Sequence, residues 1–266
     1  HEHHLEELVE EQAQNLRHSN QAVVDALSSI IEFRSAESGR HVLRLRRLTQ
    51  ILLEDVACSC PEYGLTEREI RSISSAAALH DIGKIAIPDA ILNKNQPLTP
   101  QEFEVMKTHT LSGSRMLENL SGAADQDYLR YAYHICRYHH ERWDGRGYPE
   151  GLRGDQIPLC AQVVGLADAF DALTSDRAYK AAYPYEKAVN MILAGECGTF
   201  SPRFLECFKH VRGQFAELVR CPEDIVPGDL ELPAPESAGQ IDTLQLLRNK
   251  YQALLHYTNA TVVEVD

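Results

Sequence analysis

The sequence predicts an all-α fold, on three observations. Apolar residues recur at helical spacing through nearly the whole chain, and capping signatures mark helix starts. Strand-like alternation is almost absent until Thr261–Val265 at the very end. Residues 1–33 form the first expected helix. Val9, Leu16, Val23 and Ile30 are spaced by seven, and the second heptad row reads Leu5, Gln12, Ser19, Ala26. One good row beside a half-polar one fits a two-stranded coiled coil or signalling helix, and so a homodimer through it. A single amphipathic helix packed on its own domain fits equally well, and both readings stay open.

The later helices announce their starts. Leu65-Thr66-Glu67-Arg68-Glu69-Ile70 supplies a Thr cap, a Glu three residues on and a Leu–Ile staple around them. Leu98-Thr99-Pro100-Gln101-Glu102-Phe103 repeats the device with Pro100 at the first helical position. Ser201-Pro202 opens a further helix in the same manner. A boundary falls near residue 222. Between Cys221 and Gly239 the chain holds four Pro and two Gly among acidic residues, which marks 223–239 as a linker. Helical spacing resumes over 240–257, and 240–266 reads as the opening of a further domain. The first residue is His1, inside a helical pattern, so the chain is expected to be part of a longer protein.

Composition narrows the function. With 266 residues, 44% hydrophobic and 24% charged, the chain is long enough for a large core and lacks any apolar run of the ~20 residues that span a membrane. A net charge of −13 argues against DNA or RNA polymers as partners. An anionic ligand would need local cations, from metal ions or clustered basic side chains. Seven cysteines without regular spacing suit a reduced, cytoplasmic setting, and the close pair Cys58 and Cys60 is read as incidental.

The chemistry concentrates on histidines. His41, His80, His109, His139 and His140 each have polar company in apolar surroundings. His80-Asp81 ends the run Ser75-Ala76-Ala77-Ala78-Leu79, where an imidazole beside a carboxylate is costly to bury unless paired or metal-bound. His139 and His140 would point about 100° apart on a helix and so converge on neighbouring metals or on different edges of one. Imidazole and carboxylate donors without thiolates suit iron or manganese, with zinc a further option. A shared carboxylate would give the two-metal arrangement that displaces at phosphorus. Lys84, Arg142, Arg146, Arg177 and Lys180 stand near this set in sequence. Arg177 and Lys180, three apart, would share a helix face and grip one phosphate.

The ordered motifs are His80-Asp81-Ile82-Gly83-Lys84-Ile85, Pro88-Asp89-Ala90-Ile91-Leu92 and His139-His140-Glu141-Arg142-Trp143-Asp144-Gly145-Arg146-Gly147-Tyr148-Pro149. Gly151-Leu152-Arg153-Gly154, Ile157-Pro158 and Ala167-Asp168-Ala169-Phe170-Asp171 through Lys180 follow. This set, spanning about residues 34–215, resembles the HD-GYP family of HD-domain phosphohydrolases. The resemblance implies a helical HD core over 34–222 that hydrolyses cyclic di-GMP to linear pGpG and then GMP, under an upstream sensory or receiver domain. It implies His41, His80, Asp81 and Asp168 as general HD ligands, His109, His139 and His140 as added ligands, and Asp81 as the bridge. Glu37 matches the ligand of members holding a third metal, so two or three divalent ions are expected. Asp81 and Lys84 would serve catalysis, and Lys84, Arg177 and Lys180 would contact phosphate. Tyr148 would shape the substrate or simply hold a rigid turn. Gly165 and Gln162 depart from the family pattern, where Ala and Arg are expected. Another cyclic dinucleotide as substrate, or a non-catalytic sensor, are the competing readings.

Overall fold

The computed structural model describes residues 28, 30, 31, 34, 41–118, 126–176 and 181–220. The chain divides into two units, His1–Val226 and Pro227–Asp266. The second lies outside the described residues, as do most of the 1–33 heptad pattern, the expected linker over 223–239 and the strand at 261–265. Within the first unit the helices are α1 (His41–Ser59), α2 (Glu67–Ala76), α3 (Asp89–Leu92), α4 (Pro100–Glu118), α5 (Gln126–Tyr138), α6 (Leu159–Thr174), α7 (Tyr185–Leu193) and α8 (Pro202–Arg220). Short 3-10 turns cover Ala77–Leu79 and Ile82–Ala86. Among the described residues the only bridge of extended backbone is an isolated one between Asp144 and Arg153, so the expected all-α class is observed. No helix among them is long and apolar enough to cross a membrane.

Both capping boxes form. The Glu69 amide donates to Thr66 Oγ1 at 3.3 Å and the Thr66 amide to Glu69 Oε2 at 2.9 Å. At α4 the Glu102 amide donates to Thr99 Oγ1 at 3.2 Å, and the Thr99 amide to Glu102 Oε2 at 2.7 Å. Each box satisfies two amides that a helix start leaves open. The start of α8 differs from the other two. Pro202 opens it as expected, but Ser201 Oγ is buried without a partner and does not cap.

α1 is the centre of the core. Its buried Leu45, Leu48, Leu52, Leu53 and Val56 recur at helical spacing, and the helix packs against α2, α6 and α8. Behind it Phe170 meets Phe215 at 5.0 Å and Phe208 at 5.8 Å between ring centroids, with both partners supplied by α8. These fully buried rings fix α8 across the back of α6, the helix that carries Asp168.

The turn after His80-Asp81 is held on two sides. A Cβ on Gly83 would lie 1.8 Å from the His109 carbonyl oxygen and 2.6 Å from the Gly113 amide, so α4 lies directly against this turn. One on Gly113 would lie 2.4 Å from Cys136 Sγ, which brings α5 equally close on the far side. From the other direction Ser28 donates to the Ala78 carbonyl at 2.9 Å. Arg34 donates to the carbonyls of Lys84, Ile85 and Ile87 at 3.1, 2.7 and 2.7 Å, and pairs with Asp89 at 2.9 Å. Ile31 is buried between them, whereas Ile30, the last member of the heptad row, is 43% exposed.

Gly83→Ala should therefore be among the most damaging single-methyl additions in the chain. The overlap is with backbone, which no rotamer change relieves, so a stability loss of about 3 kcal/mol is expected. Denaturant midpoints measure it, and a variant as stable as the parent would contradict this packing.

Candidate metal centre

Five separate pieces of chain converge on one buried spot. His41 is the first residue of α1, and His80 and Asp81 occupy the bend between the two 3-10 turns. His109 lies in the middle of α4, His139 and His140 just past the end of α5, and Asp168 on α6. Two groups result. Donor atoms of Asp81, His109, His139 and His140 lie within 4.8 Å of one another, and those of His41, His80 and Asp168 do likewise. Asp81 lies between them. Its Oδ1 is 3.3 Å from His109 Nε2 and 3.9 Å from His139 Nε2, while its Oδ2 is 3.0 Å from His80 Nε2. Asp168 Oδ1 sits 3.8 Å from His41 Nε2 and 4.0 Å from His80 Nε2.

The outer edge of each ring explains its orientation. His80 Nδ1 lies 2.9 Å from the Ala77 carbonyl oxygen, His109 Nδ1 2.7 Å from that of Met106, and His139 Nδ1 2.9 Å from that of Ile135. His41 Nδ1 meets Asp171 Oδ2 at 2.7 Å. A carbonyl or carboxylate at Nδ1 places the ring proton there and leaves Nε2 as a lone pair. The Nε2 atoms of His41, His80, His109 and His139 and the Oδ1 of Asp81 are all buried without a hydrogen-bond partner. Buried polar atoms left unsatisfied are costly singly, and five of them facing one another are what a cation would satisfy. The residues thus fit divalent metal, and the donor set is imidazole and carboxylate throughout.

The electrostatics agree. Burial, then the neighbouring rings, push His140 well below the ordinary imidazole range and His139 to about 3, and burial lowers His109 as well. These rings are neutral lone-pair donors at pH 7. Burial disfavours a charged Asp81, but Lys84 Nζ at 2.7 Å from Oδ2, with His80 and His109, holds it well below the usual carboxylate range. His80 differs: burial works against its charge, but Asp81 and Asp168 prevail and raise it to about 9, so a cation bound there would have to take the place of the Nε2 proton.

Several expectations change on contact with the structure. His139 and His140 converge on one donor group as expected, but from a turn and not from within a helix. α5 stops at Tyr138, the Glu141 amide turns back to the Tyr138 carbonyl at 2.9 Å, and the two rings lie 4.0 Å apart in the same group. Arg146 does not join the site, because its side chain is 83% exposed and bonded to Asp144 at 2.7 Å. Arg142 is half-buried against the loop, donating to the carbonyls of His139 and Glu141. Tyr148 stacks on His140 at 4.7 Å and 30°, so the loop reaches the centre. Gly147 allows this approach, since a Cβ there would lie 2.4 Å from the Arg142 amide. Gly165 has a similar purpose, with the His139 carbonyl oxygen 2.4 Å from where its Cβ would stand. Gln162 donates to the Ile157 carbonyl at 2.8 Å, away from the ligands. Glu37, Arg177 and Lys180 lie outside the described residues. Asp171, Arg44, Glu141 and Lys107 were not singled out by sequence, and each supports or flanks the centre. Glu141, for one, accepts the amides of Glu150, Gly151 and Leu152 and so folds the Tyr148 loop.

A family model described as an HD domain matches residues 25–198. An all-helical scaffold with this paired His/Asp centre defines the class, and the chain belongs to the HD-domain family, in its HD-GYP branch. It is 40% identical over 222 residues to a protein of Vibrio cholerae named "Probable cyclic di-GMP phosphodiesterase", covering 82% of this chain and 50% of that protein. It is 39% identical over 202 residues to a "Cyclic di-GMP phosphodiesterase" of Thermotoga maritima, covering 76% and 52%. The chain spans about half the length of these curated relatives. Among solved structures, a cyclic GMP-AMP specific phosphodiesterase of V. cholerae shares the fold with a TM-score of 0.53, 16% identity, and coverage of 81% of this chain and 56% of that one.

Proposed function

We propose that this chain is a metal-dependent phosphodiesterase that hydrolyses cyclic di-GMP to linear pGpG, with GMP as the product of a second cut. The observation that carries the reading is the placement of Asp81, whose two oxygens face two separate groups of inward lone pairs. In this reading Asp81, His109, His139 and His140 would hold one ion, and His41, His80 and Asp168, with Asp81 beside them, a second. The mixed imidazole and carboxylate donors favour iron or manganese. Glu37 is assigned to a third ion on the strength of the sequence motif.

Bound divalent ions supply Lewis-acid charge and an activated water for in-line attack at phosphorus. The protein's own groups do the rest. Lys84 holds Asp81 ionised and offers an ammonium beside it, where charge on a phosphoryl oxygen would gather. Tyr148, stacked on His140, forms a wall next to the ligands. Arg177 and Lys180 are assigned to the second phosphate. The names of the relatives support cyclic di-GMP as substrate.

The test is metal analysis of anaerobically purified protein paired with product chromatography on cyclic di-GMP. At least two iron or manganese ions per chain are expected, together with pGpG. His139→Ala should lower the metal count while the chain stays folded. A folded wild-type chain that takes up no transition metal under any loading would overturn the assignment. Full metal with binding but no cleavage of cyclic di-GMP would favour a sensor, and cleavage of a hybrid dinucleotide in preference would move the base specificity.

A further inference from the structure

Once the metal ligands are counted, an aromatic row remains that leads from them to the surface. His109 meets His140 edge-on at 5.1 Å, His140 stacks on Tyr148 at 4.7 Å, and Tyr148 meets Phe103 edge-on at 6.1 Å. Phe103 is 45% exposed, a large ring left open to water beside a deep polar site. It precedes His109 by six residues on α4, a rise of about 9 Å along the helix. Lys107, one turn on, places its Nζ 5.4 Å from the Phe103 ring centre and 5.7 Å from that of Tyr148, and pairs with Glu104 at 2.6 Å.

The capping box offers a plainer account of Phe103. The residue four places after Thr99 is where a hydrophobic staple to Leu98 would sit. That role needs one apolar side, and it explains neither the exposed face nor the edge contact with Tyr148. A flat ring 45% exposed, met edge-on by Tyr148 and with an ammonium 5.4 Å from its centre, suits a nucleobase. Every base has a π-face, and stacking on an aromatic side chain tolerates base identity. Lys107 is already paired with Glu104 at 2.6 Å, so its part here is to hold the ring and not to draw in an anion.

We propose that Phe103 is the outer base-stacking platform of this site, with Lys107 and Tyr148 holding its ring for a purine of the cyclic dinucleotide whose phosphodiester reaches the metal centre. This rests on the cyclic-dinucleotide reading above. It adds a substrate-binding residue, one that sets affinity, outside the metal ligands and the Gly147-Tyr148-Pro149 loop.

The experiment is equilibrium binding of a cyclic dinucleotide carrying 2-aminopurine in place of one guanine, whose fluorescence is quenched on stacking, alongside steady-state hydrolysis of cyclic di-GMP. Phe103→Leu keeps an apolar staple without an aromatic face, and Phe103→Tyr keeps the face. Stacking predicts that Phe103→Leu and Phe103→Ala weaken binding and raise KM about ten- to a hundredfold, with loss of quenching and kcat held within about threefold. Phe103→Tyr should behave as the parent. A Phe103→Leu chain with parental affinity and quenching would overturn the proposal, since a staple alone then accounts for the residue. A parent that binds and quenches through Phe103 but does not hydrolyse would leave the platform standing and remove the enzymatic reading instead.

Discussion

Asp81→Ala is expected to abolish turnover of cyclic di-GMP, a fall of about a thousandfold or more in kcat. The carboxylate has no understudy. Its Oδ1 serves the group of His109 and His139, and its Oδ2 serves His80 and receives Lys84. Removing it leaves three imidazoles and an ammonium facing one another with the shared anion gone. In the two-metal reading each group of donors would lose the carboxylate they share. Lewis-acid stabilisation contributes several kcal/mol to a phosphoryl displacement, and each 1.36 kcal/mol is about tenfold in rate. Lys84→Ala separates the parts. It should slow turnover while the ions stay bound, because Lys84 neighbours the carboxylate rather than the ligand nitrogens. Product chromatography and metal content on the two variants check both statements. Parental turnover by Asp81→Ala would mean that the two-metal reading is wrong.

Legibility in the sequence followed the range of the interaction. The capping boxes at Thr66 and Thr99 were readable because both partners lie within three residues. The histidines were readable as a set because five of them, with two Asp, recur in apolar surroundings that would otherwise penalise them. Which nitrogen each ring turns inward was not readable, since the direction is fixed by a carbonyl about one turn back at His80, His109 and His139 and by a distant carboxylate at His41. His139 and His140 are the plain case: the motif placed them together, but that they stand on the turn after α5, with the rings 4.0 Å apart, is seen only in the structure. Arg146 failed for the opposite reason, as a loop arginine can reach the site or solvent and Asp144 takes it outward. Gly165, noted in sequence only as a departure, proves to be where α6 meets the His139 backbone. Asp171 gave no signal beyond standing three residues after Asp168 on one helix face. Its partners come from α1, more than a hundred residues earlier, and no local pattern announces them.

That hidden partner sets the second large effect. Asp171 Oδ2 accepts from His41 Nδ1 at 2.7 Å, and its Oδ1 accepts from Arg44 Nε at 2.6 Å. Burial alone would raise its pKa, but these two donors and their charges hold it to about 2. The carboxylate therefore fixes the His41 proton on Nδ1 and turns Nε2 inward, toward Asp168 at 3.8 Å. An amide cannot repeat this. It has one accepting oxygen for two donors, so in Asp171→Asn either Arg44 or His41 meets an NH2 group and must give way. We expect Asp171→Asn to keep the fold and lose about ten- to a hundredfold in metal affinity or activity. Asp171→Ala should also cost about 3–5 kcal/mol of stability, since it leaves the largely buried Arg44 guanidinium without its counter-ion. Chelator competition reads the site directly. If His41, His80 and Asp168 hold an ion as proposed, Asp171→Asn should release that one first, whereas His139→Ala should release the other. If Asp171→Asn keeps both ions as tightly as the parent, His41 does not need its carboxylate to bind, and orientation from Asp171 is not how this centre is built.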